Sequence, residues 1–265
     1  GATLVFITAV VVFGGLSRIS KTASRLVPSM VALYFIAVMY ILIQNIEVVP
    51  MYFKMIITDA FSASLYKGEP LYGGIIGALI VLGIKRGAFS NEAGIGTAPM
   101  AHGAAKTAEP IREGLVAMLG PAIDTLIVCT LTALAILVTG VWESSDVNGV
   151  SLTATAFAKA IPSAGKYILL VCIAVFSISS LFSYSYYGSK SLSFLAGAKN
   201  KKYYNIFYVA SIMLGATTTL DMMINLIDGV FALMAIPTML ATLYLAPRVM
   251  KEAKKYFSSY KKSKG

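Results

Sequence analysis

The feature that most constrains this chain is a series of apolar runs, each long enough to form a membrane-spanning helix. Such a helix needs about 20 mostly apolar residues to cross a hydrocarbon core about 30 Å thick. The sequence is 57% hydrophobic and 13% charged, whereas an ordinary soluble domain is about a quarter charged. The pattern predicts an all-α, polytopic helical membrane protein without a soluble domain. Seven spans are predicted, the first one truncated: 1–16, 26–46, 71–105, 114–140, 166–190, 203–220 and 222–247.

Between these spans, two connections are long, and each contains a predicted short surface helix, at 50–66 and at 151–161. The chain starts at Gly1 and enters an apolar run directly, without an initiator Met or a basic leader. We therefore interpret the sequence as the C-terminal part of a longer chain.

The basic residues predict how the chain is oriented in the membrane. Of the 22 Lys and Arg residues, 16 fall in the connections 17–25, 106–113 and 191–202, counting Lys190 at the edge of the last one, and in the tail 248–265. Strict alternation of the spans puts these four segments on one side, and an excess of Lys and Arg marks the cytoplasmic side. The prediction is a transmembrane domain over 1–247 and a basic cytoplasmic tail over 248–265. The positive charge therefore indicates membrane topology and lipid contact, and no nucleic-acid partner is expected.

The predicted span 71–105 is too long and too irregular for one straight helix. Irregular backbone at membrane depth is tolerated where it lines a cavity, and broken helices of this kind build the substrate sites of many secondary transporters. Free N–H groups at a helix start suit a carboxylate, and free carbonyls at a helix end suit an ammonium or a cation. The helix-weakening and polar residues are Gly83, Gly87, Ser90, Asn91, Glu92, Gly94, Gly96, Thr97 and Pro99.

A second unusual span, 166–190, is rich in serine. Spacings of three and four place Ser179 or Ser180 on one helix face with Ser183, where hydroxyl oxygens are ligands of the type that sodium prefers. The alternative is that these hydroxyls bond to the preceding helical turn or allow close packing. Spacing alone leaves both interpretations open.

Ionisable residues within the spans need partners, because unpaired charge in hydrocarbon costs at least about 2.5 kcal/mol. Asp124 is predicted to pair with Lys85 or Arg86, either as structural neutralisation or as part of a gate. Asp228, early in the last span, needs a partner as well.

Residues 85–99 read KRGAFSNEAGIGTAP, which closely resembles the signature of the alanine/glycine:cation symporters, also called sodium:alanine symporters. Residues 123–125 (IDT) and 234–237 (MAIP) resemble later helices of that family. The resemblance covers nearly the whole chain. It implies the LeuT-like inverted-repeat transporter fold, with core helices 4 to 10 present, the broken span as the sixth helix and 166–190 as the eighth.

The resemblance also implies which residues form the site. The sixth helix would supply Phe89, Ser90, Asn91 and Gly94 to the substrate. The eighth would supply Ser180 and Tyr184 to the substrate, and sodium would be held by Ser179, Ser180 and Ser183.

Four positions depart from the family pattern. Tyr184 stands where the family has Trp, Ser183 where it has Gly, Ser189 where it has Glu, and Thr238 where it has Asn. These differences leave the range of accepted side chains open.

The predicted function is sodium-coupled symport of a small neutral amino acid, alanine or glycine, by alternating access in the cell membrane, with sodium as a co-transported ion and no cofactor. The closest alternative is proton coupling on the same fold, and a channel or receptor-like relative is a further one. An intramembrane enzyme using His102, Glu92 and Asp124 is disfavoured, because His102 is the only histidine and no metal-ligand spacing or nucleophilic triad exists.

Overall fold

The computed structural model describes residues 1–61, 72–144, 147 and 149–264, and within these ranges the chain is helical and contains no β-strand. An all-α fold is therefore confirmed for the described residues. In chain order the helices are α1 (Ala2–Val12), α2 (Gly15–Gln44), α3 (Val49–Phe61), α4 (Tyr72–Ser90), α5 (Thr97–His102), α6 (Pro110–Val138), α7 (Val150–Ala160), α8 (Gly165–Ala196), α9 (Lys201–Thr217) and α10 (Leu220–Lys264).

Four helical segments are long and apolar enough to cross a membrane: Lys21–Gln44, Pro110–Val138, Gly165–Ala196 and Met222–Tyr260. In each of them, fewer than a third of the residues in the most apolar stretch are buried within the chain. Large apolar side chains left exposed in this way are what a lipid-facing or protein-facing helix surface requires. A multi-pass membrane protein is the class that these helices define.

The helix bounds correct several predicted ones. The predicted connection 17–25 is wrong, because α2 is already helical from Gly15. The predicted boundary after 247 is not a helix end, since α10 continues to Lys264 without a break. The two short helices predicted in the long connections are present as α3 and α7, and residues 62–66 of the first lie outside the described part of the chain. The predicted surface position does not hold for all of α7, because its Ala156 and Phe157 are fully buried.

Helix α6 contains a segment of wider, π-helical winding at Ala122–Cys129, directly after Pro121. Proline has no N–H to donate and disturbs the preceding turn. Such wide turns are often found at functional sites. This one carries Asp124, the acidic residue that the sequence marked in the middle of the span.

The chain divides into two compact units. The first, which we call the core unit, consists of Ala2–Gly83 and Thr125–Tyr186. Its apolar core is built from Val38 and Ile41 of α2, Ala135 of α6 and Phe157 of α7, all fully buried. Tyr34 stacks on Phe157 with ring centroids 5.8 Å apart, and its hydroxyl bonds to that of Thr132 at 2.5 Å. This core holds α8 against α2, α6 and α7 through Leu169.

The second unit, which we call the break unit, consists of Ile84–Asp124 and Tyr187–Gly265, together with Gly1. It includes the end of α4, α5, the first part of α6, and α9 and α10. Ile95 is its one large apolar side chain that is buried among the described residues. Leu240, Leu243 and Tyr244 of α10 are more than 60% exposed. The break unit is therefore held together by contacts along helices and not by a central apolar core.

Candidate functional site

The predicted interruption of span 71–105 is present in the structure. Helix α4 ends at Ser90, α5 begins at Thr97, and residues 91–96 between them form turns and bends. The backbone φ angles of Glu92, Gly94 and Gly96 are +50°, +79° and +85°. Three positive φ angles within five residues cannot be part of a right-handed helix.

The end of α4 closes by a specific pattern of backbone hydrogen bonds. The N–H of Ala93 donates to the carbonyl of Ala88 at 2.9 Å, and the N–H of Glu92 donates to the carbonyl of Phe89 at 3.2 Å. These two bonds, together with a residue of positive φ angle directly after the helix, define a Schellman motif. The left-handed position is normally glycine, and here Glu92 occupies it. A residue other than glycine in this conformation is uncommon and costs of order 1 kcal/mol. Strained residues of this kind are often found at functional sites.

The same bonds limit which backbone groups can bind a solute. The carbonyl of Gly87 accepts both the N–H and the side-chain amide of Asn91, at 3.1 and 2.9 Å. The last turn of α4 therefore uses its carbonyls internally, contrary to the expectation of free carbonyls at this helix end. On the other side of the break, α5 begins after Gly96 without a side-chain cap. Thr97 is only 2% exposed, and its hydroxyl has no hydrogen-bond partner among the described residues.

Helix α10 lies beside the break. The ring of Phe89 contacts that of Phe231, with centroids 4.8 Å apart. A Cβ added to Gly96 would lie 3.0 Å from the hydroxyl oxygen of Thr238, and one added to Gly94 would lie 3.7 Å from the sulfur of Met239. Thr238, one of the four departures from the family pattern, therefore borders the interrupted backbone directly.

An ion pair joins α4 to α10 one turn before the break. The ammonium of Lys85 lies 2.5 Å from a carboxylate oxygen of Asp228, and the two side chains are 48% and 17% exposed. The predicted pairing of Asp124 with Lys85 or Arg86 is therefore wrong. Asp124 instead accepts a hydrogen bond from the Ser90 hydroxyl at 2.5 Å. Asp228 and Phe231 lie about one turn apart on the face of α10 that packs against α4. Asp228 therefore reaches Lys85, and Asp124 does not.

The serine-rich helix α8 belongs to the core unit as far as Tyr186. Ser179 is buried, and its hydroxyl donates to the carbonyl of Phe176 at 2.8 Å. The hydroxyl of Ser183 donates to the carbonyl of Ser179 at 3.2 Å. Within the described chain, the Ser180 side chain makes no hydrogen bond, and Ser180 and Tyr184 are half-buried. These bonds to the preceding turn are the ones that the structural alternative predicts. Each hydroxyl donates its proton in them and retains its oxygen lone pairs.

The structure thus places the predicted site residues in two groups. Phe89, Ser90, Asn91 and Gly94 come together at the end of α4 in the break unit, where Asp124, Phe231 and Thr238 join them. Ser179, Ser180, Ser183 and Tyr184 share one helix in the core unit.

Two of the neighbours at the break could have been found from the sequence. Asp228 is an ionisable residue within an apolar run, and Thr238 departs from the family pattern. Phe231 carries no such signal, because it is one apolar residue among many in its helix.

His102 at the end of α5 pairs with a residue outside the suggested set of His102, Glu92 and Asp124. Its Nδ1 lies 2.7 Å from a carboxylate oxygen of Glu113 on α6, whereas Asp124 bonds to Ser90. Within the described ranges, no cluster of three His, Cys, Asp or Glu side chains could hold a metal ion. The His102–Glu113 pair ties the second half of the broken helix to the next one.

A multi-pass helical membrane protein with an interrupted helix bordered by polar groups has the architecture of a membrane transporter. The family model described as the sodium:alanine symporter family matches residues 1–265. The chain belongs to the sodium:alanine symporter family.

Curated relatives agree with this assignment. The chain is 38% identical over 259 residues to the sodium/alanine symporter AgcS of Methanococcus maripaludis, covering 97% of this chain and 56% of the relative. It is 35% identical over 260 residues to an uncharacterized transporter of Haemophilus influenzae, covering 96% and 56%. It is 31% identical over 264 residues to the probable sodium/glutamine symporter GlnT of Bacillus subtilis, covering 99% and 54%. The chain therefore spans about half the length of the curated relatives that it matches.

Proposed function

We propose that the protein carries out sodium-coupled symport of a small neutral amino acid, alanine or glycine, across the cell membrane by alternating access. The observation that carries the proposal is the interrupted α4–α5 helix in a chain of this family, with Phe89, Ser90, Asn91 and Gly94 gathered at the interruption. Names of two relatives support amino-acid symport with sodium. The proposed fold is the LeuT-like inverted repeat, of which this chain supplies core helices 4 to 10.

In this proposal the break unit contacts the zwitterionic substrate. The uncapped start of α5 offers N–H groups and a positive dipole end to the carboxylate. The Thr97 hydroxyl is buried without a partner, and such a group costs of order 1–3 kcal/mol until it is satisfied. A substrate carboxylate or ammonium that bonds to it would recover that free energy. Thr238, beside Gly96, is then a determinant of which side chains fit.

Sodium is proposed to bind to hydroxyl oxygens of α8. The hydroxyls of Ser179 and Ser183 donate their protons to backbone carbonyls, so that their oxygen lone pairs can bind a cation. The hydroxyl of Ser180 makes no hydrogen bond among the described residues. Tyr184 lies one turn after Ser180 on the same face and is proposed to close the substrate space. Sodium must then bind more tightly to the substrate-loaded carrier than to the empty one, and reciprocally.

The proposed topology has a transmembrane domain over 1–247 and a basic segment over 248–265 on the cytoplasmic side. The excess of Lys and Arg in the connections and at the end of α10 supports this orientation. Structurally, that segment is the continuation of α10.

Uptake by proteoliposomes tests the transport proposal directly. An inward sodium gradient combined with an inside-negative membrane potential is expected to drive accumulation of labelled alanine above its external concentration, because each sodium charge that crosses 100 mV supplies about 2.3 kcal/mol in addition to the concentration gradient. Replacing sodium by choline at constant pH is expected to abolish accumulation. Accumulation that persists in choline and follows a proton gradient would establish the proton-coupled alternative, and equilibration without accumulation would indicate a passive pore.

Replacement of Ser180 by alanine tests the sodium site. Loss of one hydroxyl ligand is expected to raise the sodium concentration for half-maximal uptake by about tenfold, the equivalent of one hydrogen bond to a charged group. The matched control is Ser177→Ala, because Ser177 lies exposed on the same helix. Equal sodium dependence in both variants would remove Ser180 from the site.

A further inference from the structure

The last helix is much longer than a bilayer crossing requires. Helix α10 has 45 residues, which is about 67 Å at 1.5 Å per residue, against a hydrocarbon core of about 30 Å. No charged residue lies between Asp228 and Arg248. The uncharged stretch between them is long enough to cross the hydrocarbon core, so that Arg248 marks the point where the helix leaves it.

At this point a groove runs between α10 and the start of α6. Its first part, about 440 Å³, is lined by Ile111 on α6 and by Leu245, Arg248 and Val249 on α10. This part is mainly apolar and begins at the end of the uncharged stretch. An acyl chain entering from the hydrocarbon core would find apolar walls here.

The groove continues into a second, more polar part of about 770 Å³. Arg112 and Lys255 line it from opposite walls, together with the phenol rings of Tyr256 and Tyr260. The two parts share Pro110, Ile111 and Glu252 as walls. One continuous groove is thus apolar toward the membrane and polar away from it.

The charges along the groove favour an anion. The walls of the groove carry three cations and two carboxylates, so their net charge is positive: Arg112, Arg248 and Lys255 against Glu109 and Glu252. Arginine binds phosphate oxygens through two parallel N–H donors, and tyrosine is enriched at the level of lipid headgroups.

We propose that this groove binds an anionic phospholipid. The phosphate contacts Arg112, Arg248 and Lys255, and one acyl chain lies along Ile111, Leu245 and Val249. A soluble phosphate compound would use the polar part alone and leave the apolar part unused. The proposal concerns the membrane-edge end of α10 and does not depend on which solute is transported.

The test uses the purified protein in an uncharged detergent, with lipid binding measured by native mass spectrometry. Phosphatidylglycerol is expected to bind at least about tenfold more tightly than phosphatidylcholine of the same chain length. The double variant Arg248→Gln/Lys255→Gln is expected to lose about tenfold in phosphatidylglycerol affinity, since each basic residue near an anionic surface contributes several-fold. Arg112→Gln, on the opposite wall, is expected to weaken binding independently.

The matched control is Lys251→Gln/Lys254→Gln, which removes the same charge from exposed positions of the same helix that do not line the groove. It is expected to change affinity less than twofold. Equal losses in both double variants would overturn the proposal in favour of diffuse attraction to the basic helix. Glycerol phosphate that competes as effectively as the lipid would also overturn it, because the acyl chain would then contribute nothing. Equal melting temperatures of the variants establish that any loss is one of binding.

Discussion

Replacing Asp228 with asparagine is expected to reduce sodium-dependent amino-acid uptake by more than tenfold per reconstituted protein. The change leaves the ammonium of Lys85 without its carboxylate partner on α10, one turn before the interrupted backbone. A hydrogen bond to a charged group contributes about 1.5–3 kcal/mol, and every 1.4 kcal/mol is a factor of ten in an equilibrium. The initial rate of labelled alanine uptake by proteoliposomes measures the effect.

Two further variants distinguish the ion pair from the loss of a carboxylate as such. The exchange Lys85→Asp/Asp228→Lys is expected to recover a large part of the uptake, because it restores an ion pair between α4 and α10. Arg86→Gln is the neighbouring control, since no ion pair of Arg86 is found within the described ranges, and its effect is expected to be small. Full uptake and an unchanged melting temperature for Asp228→Asn would show that the pair has no role.

Replacing Gly96 with alanine is expected to lower uptake by at least about tenfold. The φ angle of +85° costs an alanine roughly 1–2 kcal/mol, and its Cβ would lie 3.0 Å from the hydroxyl oxygen of Thr238. Both effects push the first turn of α5 away from the position in which its N–H groups are proposed to meet the substrate. The initial rate of uptake, together with its dependence on alanine concentration, measures the change.

The double variant Gly96→Ala/Thr238→Ala separates the two causes, because it removes the hydroxyl but retains the backbone strain. Partial recovery is expected, in proportion to the part of the loss that is due to the close contact. Gly87→Ala is the matched control: its added Cβ would meet nothing within 4 Å, and alanine suits a helix interior better than glycine. A Gly96→Ala protein with normal kinetics would contradict the assigned role of the break.

The all-α, membrane-spanning class and the interruption could be predicted from the sequence because both follow from local chemistry. Apolar runs require lipid or protein around them, and the glycines and polar residues near Asn91 weaken a continuous helix whatever surrounds it. The predicted connection 17–25 is wrong for the opposite reason. Its charged residues interrupt the apolar run, but Lys and Arg are good helix formers and need not end a helix.

Partners within the site were harder to predict. The sequence identifies five ionisable positions in the spans and predicts that Asp124 pairs with Lys85 or Arg86. In the structure, Lys85 bonds to Asp228, more than 100 positions away. Which carboxylate faces the lysine depends on how α4 lies along α10, and no local pattern encodes that packing. The left-handed Glu92 was also beyond prediction, because the Schellman motif normally has glycine at that position.

A single helix, α10, runs past both the interruption and the groove of the break unit. Helix α10 carries Asp228 near its start, Thr238 beside the interruption and Tyr256 in the groove at the membrane edge. Pro237 and Pro247 lie within this helix, and because an interior proline removes one backbone hydrogen bond, α10 can bend next to Thr238. From Thr238 to Ser258 the helix extends about 30 Å, and a bend of about 10° at Thr238 would displace Ser258 by roughly 5 Å. A spin label or fluorophore at Ser258 would report such a bend without touching the solute path.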